Sequence, residues 1–329
     1  MKSPFTGKEM KRVYEKRTWN FRGEPFEYVH QAWLCEDSGE QFTNDESDTA
    51  SYLQVTNQYR AKYGIPFTDE IINVRNRYGI SAAKMSLILG IGTNQYRLYE
   101  QGEVPNVSNG RMIRSVMNPK VMLEMVESSK NMLTSVEYER IINKVYTIIA
   151  NTDNYKIEKY DTHRIYTVQR GVDNGYAQLS LPRLKNIMLS VLDKCSNVWC
   201  TKMNKLLFYI DFLSYREYGS AMTGLTYRAI DYGPVPEKWD KIYSEFPEVM
   251  QEIRQCGDFE GSVLVANGEV DTSVLSIKEL DVIDKVCHVL GNMSSRELTQ
   301  LSHQELGWTE NREKHSRIAF NYAFGLKAL

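Results

Sequence analysis

Four neighbouring side chains have the chemistry to read a DNA base edge. Asn94 and Gln95 carry carboxamides whose donor–acceptor pair matches adenine in the major groove, and Arg97 can reach guanine or a phosphate. Thr93 stands just before them, where a helix N-terminus would offer its hydroxyl and free backbone N–H groups to a phosphate. The local charge agrees in sign: residues 57–130 hold ten Lys/Arg against six Asp/Glu, a local +4 in a chain of net charge −2. An excess this small calls for a homodimer before operator binding becomes tight and specific.

A second group lies in residues 201–246, TKMNKLLFYIDFLSYREYGSAMTGLTYRAIDYGPVPEKWDKIYSEF. Asp211 shares a helix with Lys202 and Lys205, and Thr223, Gly224, Tyr232, Gly233, Pro234, Pro236 and Trp239 follow it. No histidine or second carboxylate accompanies Asp211 at catalytic spacing, so it is read as satisfying backbone groups or pairing with a nearby cation. His303 and Glu305, beside Trp308, are read as a polar network that pins the last helices. With no nucleophile–base pair, no phosphate loop and no set of metal ligands, the chain is expected not to be an enzyme and to have no catalytic residues, cofactor or metal.

At the N-terminus, Ser3, Thr6, Cys35 and Ser38 occupy the four positions that the Cys-x-x-Cys knuckles of a zinc ribbon would fill with thiolates. A single thiolate does not hold structural zinc, which would contribute roughly 10–16 kcal/mol to folding so small a unit. The hydroxyls of Ser3, Thr6 and Ser38 are therefore expected to replace part of the knuckle bonding. The aromatics Phe5, Trp19, Phe21, Phe26, Tyr28 and Trp33 are expected to pack in compensation.

The elements that must position these groups follow from caps, glycines and hydrophobic period. Thr68 caps a helix that turns Ile71, Ile72 and Val74 inward, and Gly79 breaks it. Ser81 caps a second helix with Met85, Ile88 and Leu89, Gly90 ends it, and Thr93 caps a third that runs to Glu100. Two short helices joined by a tight glycine-containing turn are a helix-turn-helix. Residues 1–45 read as short strands with a turn at Gly23-Glu24-Pro25, followed by a helix through Tyr59. Asn118-Pro119 opens another helix, and one more covers Ser135–Ala150. From Asn151 to Ala177 the pattern predicts a polar linker with a short strand at Ile165–Val168.

The remainder reads as mostly helical. Leu184, Ile187, Met188, Val191 and Leu192 form one apolar stripe, and Leu206, Leu207, Ile210 and Leu213 form another. Capping boxes at Ser276–Glu279 and Ser294–Glu297 start later helices. Ser262–Ala266 and Glu269–Val274 predict a β-hairpin around Asn267-Gly268, and Tyr232-Gly-Pro-Val-Pro236 is a rigid turn. The fold class is mainly α with small β parts. Its expected domains are a ribbon-like unit (1–56), a DNA-binding unit (57–135), a connecting helix and linker (136–179) and a helical C-terminal domain (180–329).

At 329 residues, with 42% hydrophobic and 11% aromatic residues, the chain can build packed cores and is not a disordered sequence. Its five cysteines, Cys35, Cys195, Cys200, Cys256 and Cys287, are odd in number and scattered, which suits a reducing cytosol. No stretch has the length of a membrane span and the start lacks the apolar run of a signal peptide, so a cytoplasmic location is expected.

Three resemblances extend this reading. The window 68–102 resembles the lambda-repressor-like family in Leu89-Gly90 and in the tail Tyr99-Glu100-Gln101-Gly102. It departs at Ala82, where that family often has Gln, and at Leu98, where it often has Arg; both departures remove phosphate contacts. The order of ribbon, connecting helix and helix-turn-helix over residues 1–130 resembles the MqsA-type antitoxins. Residues 180–329 resemble the Panacea (GepA/SocA-like) antitoxin domain. The matching pieces are Thr201-Lys-Met-Asn-Lys-Leu-Leu, Asp211, Thr223-Gly224, Tyr232-Gly-Pro-Val-Pro236, Ser302-His303-Gln304-Glu305 with Trp308, and Ile318 to Ala323.

The resemblance implies an antitoxin of a type II toxin–antitoxin system. Its C-terminal domain would neutralise a cognate protein toxin by direct binding, without catalysis, while the N-terminal half binds operator DNA and represses the shared promoter. Tyr215, Tyr218, Tyr227 and Trp239 are candidate anchors for the toxin. The alternative is a stand-alone transcriptional regulator whose C-terminal domain senses a ligand.

Overall fold

The computed structural model describes residues 1–166, 168–256 and 259–329, apart from the side chains of 152–166, 256 and 259. About half of these residues are helical, and the strands form three small antiparallel sheets. Contacts divide the chain into two compact units, one of Met1–Val55 with Val168–Leu329, the other Thr56–Thr167. No helix among the described residues is long and apolar enough to cross a membrane.

The chain begins with a long hairpin of β1 (Lys11–Phe21) and β2 (Glu24–Leu34), to which β3 (Gln41–Phe42) adds a short third strand. Its turn is Arg22-Gly23 and not Gly23-Glu24-Pro25: Phe21 pairs with Glu24, and Pro25 already lies in the ladder opposite Asn20. Both turn residues have positive φ, 54° and 87°, the geometry whose twist matches the flanking strands. Helix α1 (Asp45–Tyr63) follows, with acidic residues in its first turn and Arg60 and Lys62 in its last, each suited to that end of the helix dipole. The hairpin is fastened to the C-terminal part of its own unit. Arg12 makes a two-pronged ion pair with Glu217 at 2.7 and 2.8 Å, and the fully buried Gln31 donates to the Arg216 carbonyl.

The unit Thr56–Thr167 is helical. Its elements are α2 (Thr68–Tyr78), α3 (Ala82–Leu89), α4 (Gln95–Glu100), α5 (Val107–Ser115), α6 (Pro119–Ser128) and α7 (Ser135–Tyr166). Thr68 is the first residue of α2 and not its cap; Phe67 takes that place, with Glu70 reaching back to its N–H. The expected glycine stops are present, since Gly79 and Gly90 both end their helices in the left-handed conformation. The inward residues Ile71, Val74, Met85, Ile88 and Leu89 meet Ile113, Met122, Val126, Ile141 and Val145 in one core. Helix α7 continues past Ala150, so 151–166 are helical backbone and not the start of a linker. The expected strand at 165–168 includes residue 167, which lies outside the described residues.

The C-terminal part is built around a buried helix. After α8 (Leu181–Lys194) comes α9 (Cys200–Tyr218), in which every residue from Lys202 to Arg216 is buried. Then follow β4 (Tyr227–Ile230), β5 (Gly233–Pro236), α10 (Trp239–Ile242), β6 (Val249–Cys256), β7 (Phe259–Ala266), α11 (Ile277–Leu290), α12 (Ser295–Ser302) and α13 (Leu306–Thr309). Helices α8, α11 and α12, strand β5 and the 3-10 turn Phe320–Gly325 pack around α9. Phe208, Phe212, Tyr215, Tyr227 and Phe320 form a contiguous ring cluster there, the Phe212 and Phe320 rings stacked at 4.3 Å. Both capping boxes form as expected.

The hairpin expected around Asn267-Gly268 does not form. Residues 262–266 are a strand, but they pair backwards with 249–253. The chain after Gly268 is drawn to α8 instead, where the Asn186 side chain accepts from the Asp271 N–H at 2.7 Å, and Asp271 caps a 3-10 turn over Thr272–Val274.

Candidate functional site

Asp211 is the centre of the polar structure inside the C-terminal part of the first unit. It is fully buried, and its carboxylate collects four donors: the N–H groups of Met222 and Thr223 at 2.8 Å each, the Tyr227 hydroxyl at 2.7 Å, and the Thr223 hydroxyl. Burial holds its pKa above the ordinary value, and the hydrogen bonds from Thr223, Tyr227 and Met222 only partly offset that. The backbone-satisfying role read for Asp211 is the one it has. Gly224 follows the turn that Asp211 fixes. Its φ is +76°, and an added Cβ would stand 2.4 Å from the Leu179 nitrogen, so no other residue fits without moving backbone.

The second motif piece folds against the same helix. Gly233 and Pro234, both buried, bring β5 onto Lys205, whose ammonium donates to the Pro234 carbonyl at 3.3 Å. A Cβ at Gly233 would meet Ser302 Oγ at 2.7 Å and Lys205 Cε at 2.8 Å. Lys205 is 1% exposed, and burial pushes its pKa down to about 7. The 302–308 segment completes the arrangement. Glu305 accepts from Tyr209 OH at 3.2 Å and from the N–H groups of Lys327 and Ala328, while Trp308 donates to the Ile230 carbonyl at 2.7 Å. His303 stacks on Trp308 at 3.9 Å, and burial lowers its pKa. Glu305 thereby ties the backbone at Lys327 and Ala328 to Tyr209 on α9, whereas His303 Nε2 is buried without a hydrogen-bond partner among the described residues.

The motif residues therefore separate into two groups. Asp211, Thr223, Gly224, Gly233, Pro234 and Pro236 are interior and shape the fold, whereas Tyr232 is 72% and Trp239 37% exposed. Of the anchors expected from sequence, Tyr215 (4% exposed) and Tyr227 (0%) are buried and cannot contact a partner; they belong to the ring cluster and the Asp211 network. An aromatic in an apolar window gives no sign of which way it faces until the packing is known. One cluster escaped the sequence reading altogether. Glu237 takes Thr226, Arg228 and Arg317 as donors, at 2.9, 2.5 and 3.0 Å. Burial alone would raise Glu237, but the hydrogen bonds from Arg317, Thr226 and Arg228 bring it down to about 2. Arg317 lies 80 positions along the chain, beyond any local signal.

In the other unit, α4 is held by its inner side. Tyr96 and Tyr99 are buried, Tyr96 OH donates to the Ile71 carbonyl at 2.8 Å, and Arg75 pairs with Glu100 at 2.5 Å. Thr93, Asn94 and Arg97 are exposed on the outer side and Gln95 is half-buried, within 3.4 Å of Glu103. Asn94, with φ of 64°, is the residue that enters α4, and neither it nor Thr93 caps the helix with its side chain. Thr93, Asn94, Gln95 and Arg97 thus lie together at the start of α4, with Thr93, Asn94 and Arg97 exposed and the Gln95 amide donating to Glu103.

At the N-terminus the two knuckles are closed by hydrogen bonds. Ser3 Oγ lies 3.1 Å from Cys35 Sγ and accepts from the N–H groups of Phe5 and Thr6, and Ser38 accepts from Glu40 N–H at 3.3 Å. Hydrogen bonds from Ser3 and Ser38 lower the Cys35 thiol to about 7. A donor set with one sulfur does not fit zinc. Phe5 meets Phe42 at 5.8 Å and Trp19 meets Tyr28 at 5.9 Å, but Phe5 is 64% and Trp19 38% exposed, and of the six aromatics expected to pack in compensation only Phe26 is buried. Ser3→Cys/Thr6→Cys/Ser38→Cys together are expected to create a site that binds one zinc ion and raises the melting temperature by several degrees. Native mass spectrometry with and without chelator checks this; a triple variant that takes up no zinc would show that the knuckles do not retain ligand geometry.

Compared with known proteins, residues 203–309 match the family described as antitoxin SocA-like, Panacea domain. No curated protein and no solved structure matches the chain.

Proposed function

We propose that this chain is the antitoxin of a bacterial type II toxin–antitoxin system. Its C-terminal unit neutralises a cognate protein toxin by direct binding, and the segment Thr56–Thr167 represses the operon by placing α4 in the major groove of operator DNA. The observation that carries the reading is the Panacea match over residues 203–309, the segment whose motif residues build the Asp211 and Lys205 networks around α9. A rigid buried frame with exposed aromatics suits a binding protein, because anchors held in place lose little entropy when a partner docks. Tyr232 and Trp239 are the anchors of choice.

The DNA-binding half is supported by the helix-turn-helix spacing and by the outward polar residues of α4. The resemblance of residues 1–130 to the MqsA-type antitoxins in the order of their elements favours the same reading. Co-expression with the product of the adjacent gene tests the first half: the intact chain is expected to restore growth, and Tyr232→Ala to weaken the complex at least tenfold. A chain that neither binds nor rescues would sink the antitoxin reading. For the second half, Asn94→Ala/Arg97→Ala is expected to weaken binding to the operon's promoter by at least about tenfold, since good base contacts are worth about 1–3 kcal/mol each. Unchanged gel-shift affinity would remove α4 from the interface.

A further inference from the structure

Strand β6 has one edge on β7 and the other open. Asn267 donates its N–H to the Glu248 carbonyl at 2.8 Å, which fixes the alternation along the pair. Met250, Glu252 and Arg254 turn their backbone groups to β7, and those of Gln251, Ile253 and Gln255 point the other way. The far side of β7 is occupied, since Leu264 donates to the Val198 carbonyl at 2.8 Å and Val263 bridges Trp199. On the far side of β6, nothing among the described residues bonds the backbone of Gln251, Ile253 or Gln255. Their side chains and that of Arg254 are exposed, Ile253 by 77%. The strand also has no proline or lysine of the kind that blunts an edge.

We propose that this edge pairs with the same edge of a second copy of the chain, antiparallel and centred on Ile253. What selects a copy is the symmetry of the residues. In Gln251-Glu252-Ile253-Arg254-Gln255 the glutamines are matched about Ile253 and the two charges are opposite in sign. An antiparallel match about Ile253 therefore sets Glu252 against the partner's Arg254, and Arg254 against the partner's Glu252. Ile253 exchanges both backbone hydrogen bonds with the partner's Ile253 on the two-fold axis, and Gln251 does so with the partner's Gln255 on either side. The charged pairs then fall at the non-hydrogen-bonded positions, where facing Cα atoms are about 4.5 Å apart and side chains meet most closely. Within one chain Arg254 already pairs with Glu252 at 2.6 Å on the same face, so the copies join these into one ladder of alternating charge. A strand of unrelated sequence would satisfy the backbone but leave both charges unmatched. The pairing also extends β6 and β7 into a sheet that runs through both copies, and a two-stranded sheet gains most from added strands. It involves β6 alone, whether or not the chain neutralises a toxin.

Sedimentation velocity of the full-length chain, from low to high micromolar concentration, tests this. A single edge pair is a small interface, so the wild type is expected to be dimeric when concentrated and to dissociate on dilution. Ile253→Pro takes no bond from β7, because the Ile253 N–H points outward, but it removes the donors at the axis and is expected to leave the chain monomeric. Glu252→Arg and Arg254→Glu each turn both cross-strand pairs into like charges, and each is expected to weaken the dimer by at least about tenfold. Mixed in equal amounts, these two variants restore every opposite-charge pair and are expected to form a heterodimer about as tight as the wild-type dimer. A wild type that stays monomeric, leaving the edge to a strand of a different protein, overturns the proposal. So does a dimer that Ile253→Pro leaves unchanged, or a mixture of the charge variants that recovers nothing while circular dichroism shows both folded. The charge exchange decides even if the proline variant misfolds.

Discussion

Asp211→Ala is expected to destabilise the unit that contains it by about 4 kcal/mol, because each buried donor left without an acceptor costs about 1–3 kcal/mol. The reason lies in what is left behind. Removing the carboxylate strands two backbone N–H groups and two hydroxyls at a position with no exposure to water. The hydroxyls of Thr223 and Tyr227 can rotate toward other acceptors, but the N–H groups of Met222 and Thr223 are fixed by the turn. Asp211→Asn keeps an acceptor for those two N–H groups and turns its amide toward hydroxyl oxygens that can accept, so it should cost only about 1–2 kcal/mol. Urea unfolding followed by circular dichroism checks the pair. An alanine variant as stable as the asparagine one would show that the network is dispensable. Neutralisation of a toxin is expected to fail in the alanine variant through loss of the frame, with no contact to the partner removed.

Lys205→Met is expected to invert the usual expectation for a deleted charge by stabilising the protein at low pH. Burial pushes the Lys205 pKa down to about 7, while in the unfolded chain it titrates near 10.4, so between these values the unfolded state holds more protons. Stability from this group is therefore lowest below pH 7 and is regained as pH rises toward 10, by at most about 1.4 kcal/mol per pH unit. Methionine has nearly the same length and no charge, though it leaves the Pro234 carbonyl without its donor. The variant should be more stable than wild type by about 2 kcal/mol at pH 6 and should lose that advantage by pH 9. Other groups, such as the lowered thiols of Cys35 and Cys195, titrate in the same window. The difference between the two chains at each pH is consequently the quantity to measure, and a difference that does not change with pH would show that Lys205 is not titrating.

What could be read in the residues alone was what short-range physics decides. Gly79 and Gly90 end their helices, Ser81 and the Ser276 and Ser294 boxes begin theirs, and the knuckle hydroxyls close their loops, because each partner lies within a few residues. The motif pieces of the 203–309 segment were likewise visible, as was the helix that carries Asp211. What only the tertiary structure decided was direction and long-range partnership. Strand 262–266 pairs with the segment before it, and Asn186 on α8 holds the chain that follows. Tyr215 and Tyr227 point inward because Phe212 and Phe320 complete a ring cluster around them, while Tyr232 is left outside. The hairpin's bond to Glu217 and the desolvation of Lys205 join residues far apart in sequence. Burial, which sets both the facing of an aromatic and the charge of a lysine, is a property of the packed chain and is written in no single window of it.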